Sequence, residues 1–133
     1  MKQIFSILVA ISIFSFHAQA QAIPRNPVQK EFASVTSVFV PGGFGTESDI
    51  YVIARGVFPN GCYSWSHGEL EHLNEFSHVV KPIANVIVGS YCTMALVPFE
   101  VEISLGRFAA GRHDVQFKNA DGSVIQSVVD VEP

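Results

Sequence analysis

Two cysteines, Cys62 and Cys92, are the feature that most constrains how this chain can fold. They are the only cysteines among 133 residues, and they lie 30 positions apart. A bond between them would close a loop in the middle of the chain. In the chain-entropy picture such a loop stabilises a small domain by about 3.5 kcal/mol, because it restricts the unfolded chain. Whether the thiols pair depends on the compartment, since disulfides persist in oxidising surroundings.

The first twenty residues have the pattern of a cleavable export signal. Lys2 precedes an apolar run over residues 4–16, and Ala18-Gln19-Ala20 follows it. A positive start, an apolar run of about a dozen residues and an Ala-x-Ala end are typical of a secretory signal peptide. A membrane-spanning helix needs about 20 apolar residues, more than this run provides. We therefore expect a signal peptide over residues 1–20, no membrane anchor, and a periplasmic or secreted mature protein.

Export favours pairing of the two thiols, because exported chains with two cysteines most often form a disulfide. Two free thiols, a metal-binding pair and a redox pair are the alternatives. The sequence has no Cys-x-x-Cys motif of the redox kind. Two cysteines without Cys or His at close spacing also make a poor zinc site. The sequence therefore predicts a structural disulfide between Cys62 and Cys92.

The rest of the chain has the length of one domain. Residues 21–30 carry two prolines and no periodic apolar pattern, so we expect a flexible lead there. Residues 31–133 suffice for a single core and are too few for two. Apolar and polar residues alternate clearly over 100–105 and 114–118, as they do in half-buried strands.

Turn signals divide this domain into short strands, and no stretch of it has a helical period with helix caps. Strands are predicted at residues 32–40, 50–58, 63–73, 76–88 with a break near Pro82, 92–97, 100–105, 114–118 and 123–131. Short strands at this spacing predict an all-β fold, an antiparallel two-sheet immunoglobulin-like sandwich of about seven strands with one disulfide. A small barrel is the alternative.

The charge of the chain narrows the range of partners. Its formal net charge is −4, with 12 acidic against 8 basic residues. A mildly acidic surface argues against nucleic acid and against anionic membranes as partners. We expect a monomer without a cofactor, whose partner is a protein or an envelope component.

The second half of the chain resembles a known group of domains. The matching residues are Phe58-Pro59-Asn60-Gly61-Cys62, the run from Cys92 to Glu100, Ile103-Ser104-Leu105-Gly106, Ala110-Gly111 and Val115. This order resembles small exported β-sandwich domains of bacterial secreted proteins and lipoproteins, a group largely without assigned function. The resemblance implies the sandwich fold and a Cys62–Cys92 bridge, and it implies no catalytic residue. The chain departs from that group at His113, where an aromatic residue is usual, and in lacking a cysteine for a lipid anchor.

One alternating segment could bind a metal ion. His67, Glu69 and Glu71 would share one face of a strand with Trp65. An imidazole and two carboxylates suit a borderline divalent cation. A metal-binding protein or metal-dependent enzyme is therefore one alternative function, and a solvated strand face is the plainer interpretation of the same residues.

A glycine-rich loop around Phe44 offers the other candidate site. An exposed Phe44 could contact a partner, and a secreted inhibitor could present residues 42–46 in this way. The plainer interpretation is that the ring folds back over the end of the sandwich. His78 and His113 stand alone in the sequence and are expected to be structural or exposed. Without a Gly-x-Ser-x-Gly motif or another catalytic set, we expect a non-enzymatic binding or structural module.

Overall fold

The computed structural model describes residues 18, 20–23 and 25–133. The predicted signal peptide lies outside the described residues except at positions 18 and 20. The strands in the described part are β1 (Val28–Phe32), β2 (Val35–Phe39), β3 (Phe44–Gly45), β4 (Ile50–Phe58), β5 (Tyr63–His72), β6 (Ser77–Ile87), β7 (Val97–Gly106), β8 (Gly111–Lys118) and β9 (Val124–Glu132).

These strands form two sheets, which confirms the predicted all-β sandwich. The larger sheet has six strands arranged around β6. β5 pairs with one edge of β6. β1 and β8 pair with successive parts of its other edge, and β9 and then β3 follow β8. The smaller sheet has the order β2, β4, β7. The described residues form nine strands, where about seven were predicted. The pairs β6–β8 and β3–β9 are parallel, so the larger sheet is mixed and not purely antiparallel.

The core lies between the two sheets and follows the alternation of the strands. In β4, Ile50, Val52 and Ala54 are fully buried, while Arg55 points to solvent. In β7, Ile103 and Leu105 are buried, and Glu100 and Glu102 face water as predicted. Because successive side chains of a strand point to opposite faces, β4 and β7 each contribute one apolar row to the core.

Pro82 lies inside β6 without breaking it, whereas the sequence predicted a break there. On one side of β6, the pairing with β8 ends at Val80 and the pairing with β1 begins at Ile83. The proline therefore stands where the neighbouring strand changes, and its missing N–H leaves no gap in a ladder. Its carbonyl accepts a hydrogen bond from the Ala33 amide at 2.9 Å.

The segment predicted as one strand over residues 32–40 is two strands, one in each sheet. Ala33 and Ser34 carry the chain from β1 across to β2. At this crossing the Asn119 side chain accepts from the Val35 amide at 2.8 Å and donates to the Val35 carbonyl at 2.9 Å. β1 also begins at Val28, within the predicted flexible lead. All five of its side chains are exposed, so no apolar pattern marks it.

Two glycines allow close approach of backbone and side chains. A Cβ atom on Gly56 in β4 would collide with the Ser34 carbonyl and the Phe99 ring. A Cβ atom on Gly68 in β5 would lie 2.9 Å from a methyl carbon of Ile103, in the opposite sheet. A side chain at either position would force strands apart in a closely packed interior.

Candidate functional site

The structure contains the predicted disulfide between Cys62 and Cys92, with their Cα atoms 5.2 Å apart. The bridge joins the β4–β5 turn to residues 88–96, the connection between β6 and β7, which we call the bridged loop. The Gly61 amide also donates to the Thr93 carbonyl at 2.8 Å. The strand predicted at 92–97 is wrong, because the chain is irregular until β7 begins at Val97.

The bridged loop presents apolar side chains to solvent. Tyr91 is fully exposed, Met94 is 84 % exposed and Leu96 is 72 % exposed. Residues 82–99 contain no charged side chain. Large apolar groups that remain exposed on a covalently tied, uncharged loop are typical of a contact surface.

Leu96 also forms part of a surface recess of about 520 Å³, which we call the Leu96 recess. The recess is lined by Glu31, Phe32, Ala33, Ser34, Val57, Phe58, Pro59, Tyr63, Leu96 and Ala120. On its rim the Tyr63 hydroxyl donates to a Glu31 carboxylate oxygen at 3.3 Å. Burial, and then the Glu31 charge, raise the pKa of Tyr63.

A second recess of about 380 Å³ adjoins the first and shares Phe32 and Ala120 with it. Lys81 and Lys118 line this second recess. The Phe32 ring, which is 52 % exposed, therefore stands between an acidic and a basic rim. Together the two recesses form an apolar floor with charges of both signs at its edges.

At the other end of β5, three histidines form a hydrogen-bonded row, which we call the histidine chain. Nδ1 of His72 lies 2.6 Å from Nδ1 of His78, and Nε2 of His78 lies 3.0 Å from Nδ1 of His113. Nε2 of His113 lies 2.7 Å from the Ala109 carbonyl oxygen. His72 is exposed, whereas His78 and His113 are 3 % and 0 % exposed. The row thus runs from the surface into the interior.

Donor and acceptor counting assigns the protons of the neutral chain. A carbonyl only accepts, so His113 carries its proton on Nε2 and accepts at Nδ1. His78 must then donate from Nε2 and accept at Nδ1, and His72 must donate from Nδ1. The unprotonated Nε2 of His72 is left at the exposed end. One backbone carbonyl therefore fixes the tautomers of all three rings.

Aromatic rings enclose the middle of the histidine chain. The Phe108 ring stacks on His78 at 4.1 Å between centroids and 11° between planes. Phe76 lies against His113 at 5.0 Å. Burial, followed by the charges of His72 and His113, lowers the pKa of His78 to about 4. Desolvation disfavours a charged imidazole, so His78 is neutral at neutral pH.

Sequence comparison decides the family. The family model described as the ORF11 beta-sandwich domain matches residues 52–130, more than half of the chain. The chain belongs to the ORF11 beta-sandwich domain family. No curated protein matches it, and no solved structure matches it. The family description names an architecture and no activity. Of the resemblance that the sequence suggested, the β-sandwich fold is therefore the part that is confirmed.

In this ORF11 domain, the predicted metal-binding residues lie on the solvent face of β5. A β-bulge between Trp65 and His67 places the indole on the inner face, so Trp65 does not share a face with the three candidates. Nδ1 of His67 lies 2.9 Å from the Ser66 hydroxyl.

The two carboxylates on this face are next to a lysine. Glu69 is paired across the strands with Lys81, whose Nζ lies 3.7 Å from a Glu71 carboxylate oxygen. In the described part of the chain, no three His, Cys, Asp or Glu side chains are grouped so that they could hold a metal ion. The geometry of this face is that of a solvated strand, which was the plainer interpretation of these three residues.

Phe44 is buried in the ORF11 domain, so the candidate exposed contact is wrong and the plainer interpretation, a ring folded back over the end of the sandwich, is confirmed. The residue is 7 % exposed, lies in β3 beside β9, and meets Tyr51 edge to face at 5.8 Å. The ring folds back because it can cover the end of the core, which an exposed loop tip would leave open to water.

Among the described residues there is no helix long and apolar enough to cross a membrane.

The histidine chain was missed by sequence reasoning, although one local signal pointed to half of it. An antiparallel hairpin turning at Asn74 and Glu75 places His72 opposite His78, as the β5–β6 register does. No local signal could have added His113. It reaches His78 through the parallel pairing of β6 with β8, which joins segments distant in sequence.

Proposed function

We propose that this protein is an exported, non-enzymatic binding module that holds an apolar side chain of a partner protein in the Leu96 recess. The observation that carries the proposal is that Leu96 belongs both to the exposed bridged loop and to the wall of the recess. A concave apolar site beside protruding apolar side chains is the arrangement at which interface anchors bury most completely.

The charges around the recess favour a polypeptide as the partner. Glu31 lies at one rim, and Lys81 and Lys118 lie beyond Phe32. A nucleic acid requires a continuous basic surface, and the net charge of −4 opposes it. A protein partner can present an apolar anchor with an acid and a base at its flanks, which is how interface cores and rims are arranged.

The disulfide supports binding by limiting the motion of the bridged loop. The bridge at Cys92 and the hydrogen bond at Thr93 hold two successive residues of that loop. A loop held in one conformation loses less entropy on association than a free one. The bridge and the export pattern of residues 1–20 also support a periplasmic or secreted location, where the bond would persist.

Substitution of two exposed leucines, Leu96 in the bridged loop and Leu73 just after the end of β5, tests the proposal. The protein purified after export is immobilised and exposed to envelope and culture-fluid extracts of the producing cells. Leu96→Glu should reduce capture of the partner at least about tenfold, because burying a leucine contributes about 1.5–3 kcal/mol. Leu73→Glu is the matched control, since Leu73 is 58 % exposed at the far end of β5.

Thermal unfolding of both variants should match the wild type, because neither side chain is in the core. Capture of the same proteins in the same amounts by wild type, Leu96→Glu and Leu73→Glu would refute the binding site. A partner lost with Leu73→Glu and kept with Leu96→Glu would place binding at the other end of the sandwich and refute it as well.

A further inference from the structure

The histidine chain closes over a short loop that has a glycine at each end. Residues 107–110, which we call the Phe108 loop, connect β7 to β8. Gly106 has φ of 81° and Gly111 has φ of 133°. Both values lie where glycine is favoured, and glycine has the widest conformational freedom of all residues. The loop can therefore change direction at its two ends, where Gly106 ends β7 and Gly111 begins β8.

Two kinds of contact hold the inner side of the Phe108 loop. The Phe108 ring stacks on His78 and tilts against His113 at 4.7 Å. The Ala109 carbonyl accepts the proton of His113. On the outer side Arg107 meets Asp49 at 3.3 Å and Glu47 at 3.5 Å, in exposed ion pairs of the kind that contribute little.

The histidine chain can accept one extra proton without losing a hydrogen bond. The proton can occupy Nε2 of His72. It can also be transferred to His78, if the proton shared between the two Nδ1 atoms moves across the 2.6 Å that separates them. In both cases every ring nitrogen of His78 still has a partner.

A second extra proton breaks this arrangement. When His72 and His78 are both cations, an N–H group faces an N–H group and two positive charges adjoin in a buried site. No other nitrogen of His78 is available, since its Nε2 already donates to His113. Like charges in a poorly hydrated site repel strongly, so the rings must separate.

We propose that the histidine chain is a proton-operated latch, which holds the Phe108 loop closed in neutral solution and releases it in acid when both His72 and His78 are charged. Separation of the rings removes the flat partner on which Phe108 stacks. The loop then opens at Gly106 and Gly111, and the Phe108 ring becomes exposed. In the closed form Phe108 is 6 % exposed and belongs to the main core cluster.

Few other charged groups face His78. His72 from β5 and His113 from β8 are the titratable groups in contact with it. A polar recess of about 170 Å³, lined in part by Ser77, His78 and Asp114, gives water and protons a route to the ring. The Asp114 carboxylate is exposed there, and the effects that lower the pKa of His78 come from burial and from the two neighbouring histidines.

Nuclear magnetic resonance of the folded protein tests the latch directly. At neutral pH the ¹⁵N shifts should show His72 protonated on Nδ1, and His78 and His113 protonated on Nε2. Nuclear Overhauser contacts between Phe108 and His78 should be strong at neutral pH and should disappear on acidification. Contacts between Phe44 and Tyr51, whose rings lie 5.8 Å apart, should persist through the same change.

Two variants and one control complete the test. His78→Gln can still donate and accept but cannot be charged, so its Phe108 loop should stay closed in acid. His72→Gln removes the second charge from an exposed position and leaves a side chain that can still donate or accept, so its loop should stay closed at the pH at which the wild type opens. His67→Gln, which removes an exposed histidine from the same strand, should behave as wild type.

Three results would overturn the proposal. These are a different set of tautomers at neutral pH, Phe108–His78 contacts that persist in the acid range, or their loss only together with the Phe44–Tyr51 contacts. Opening in His72→Gln at the same pH as in wild type would also refute it, even if His78→Gln does not fold.

Discussion

Burial of the neutral His78 ring makes the stability of the folded domain depend on pH. In the unfolded chain this imidazole takes up a proton near its ordinary pKa of 6.5, whereas in the folded protein its pKa is about 4. Between these values the unfolded state binds more protons than the folded state. Stability from this group is therefore complete above pH 6.5, falls as the pH falls towards 4, and changes no further below that.

The size of the loss follows from the two pKa values. A difference of about 2.5 units corresponds to about 3.5 kcal/mol of unfolding free energy when the group is fully protonated in both states, at about 1.4 kcal/mol per unit. At about pH 4 the group is only half protonated in the folded state, so the loss there is about 3 kcal/mol.

Urea unfolding at about pH 7 and about pH 4 measures this loss in wild type, in His78→Gln and in His67→Gln. Carboxylates titrate in the same range in all three proteins, so the comparison between them isolates His78. The wild type should lose about 3 kcal/mol more than His78→Gln, and His67→Gln should follow the wild type. An equal loss in wild type and His78→Gln would refute the reasoning.

Three further predictions concern the fold. Replacing Cys62 and Cys92 together by alanine should lower the unfolding free energy by about 3.5 kcal/mol, seen as a lower urea midpoint; an unchanged midpoint would mean that the bridge does not restrict the unfolded chain. Asn119→Ala should cost about 1–3 kcal/mol in thermal unfolding, because it leaves the Val35 amide without its partner, and an unaltered melting temperature would contradict this. Gly56→Ala should cost about 1–3 kcal/mol in the same assay, since the site has no room for a methyl group, and a stabilised variant would disprove that.

The strands that the sequence predicted best are those with one buried face. The alternation over residues 100–105 lies within β7, and that over 114–118 lies within β8. In such strands apolar and polar residues alternate, so every second residue indicates which face is buried. The disulfide was predicted for a different reason, since two thiols in an exported chain seldom remain free.

The elements that the sequence did not predict are those held by backbone pairing or by distant contacts. β1 has five exposed side chains and exists because its backbone pairs with β6. β3 lies in the segment that was predicted as a loop, and it exists because its backbone pairs with β9 at the far end of the chain. Neither pairing can be recognised from the local sequence, because a backbone hydrogen bond does not depend on side-chain type.

The candidate sites show the same difference between residues close in sequence and residues brought together from distant segments. His67, Glu69 and Glu71 were correctly placed on one strand face, and their spacing alone carried that prediction. The Leu96 recess brings together parts of β1, β4 and the bridged loop, which are far apart in the chain. Spacing along one strand could not reveal it.

The amino-acid sequence by itself determined that this protein is a disulfide-bonded all-β domain, because alternation, turn residues and cysteine content are local properties. Tertiary structure alone decided which strands became neighbours. Through the β6–β8 pairing it brought His78 beside His113, and it placed Leu96 and Phe32 around one recess. Proximity in space between distant residues arises from the packing of whole sheets, and no short stretch of sequence contains it.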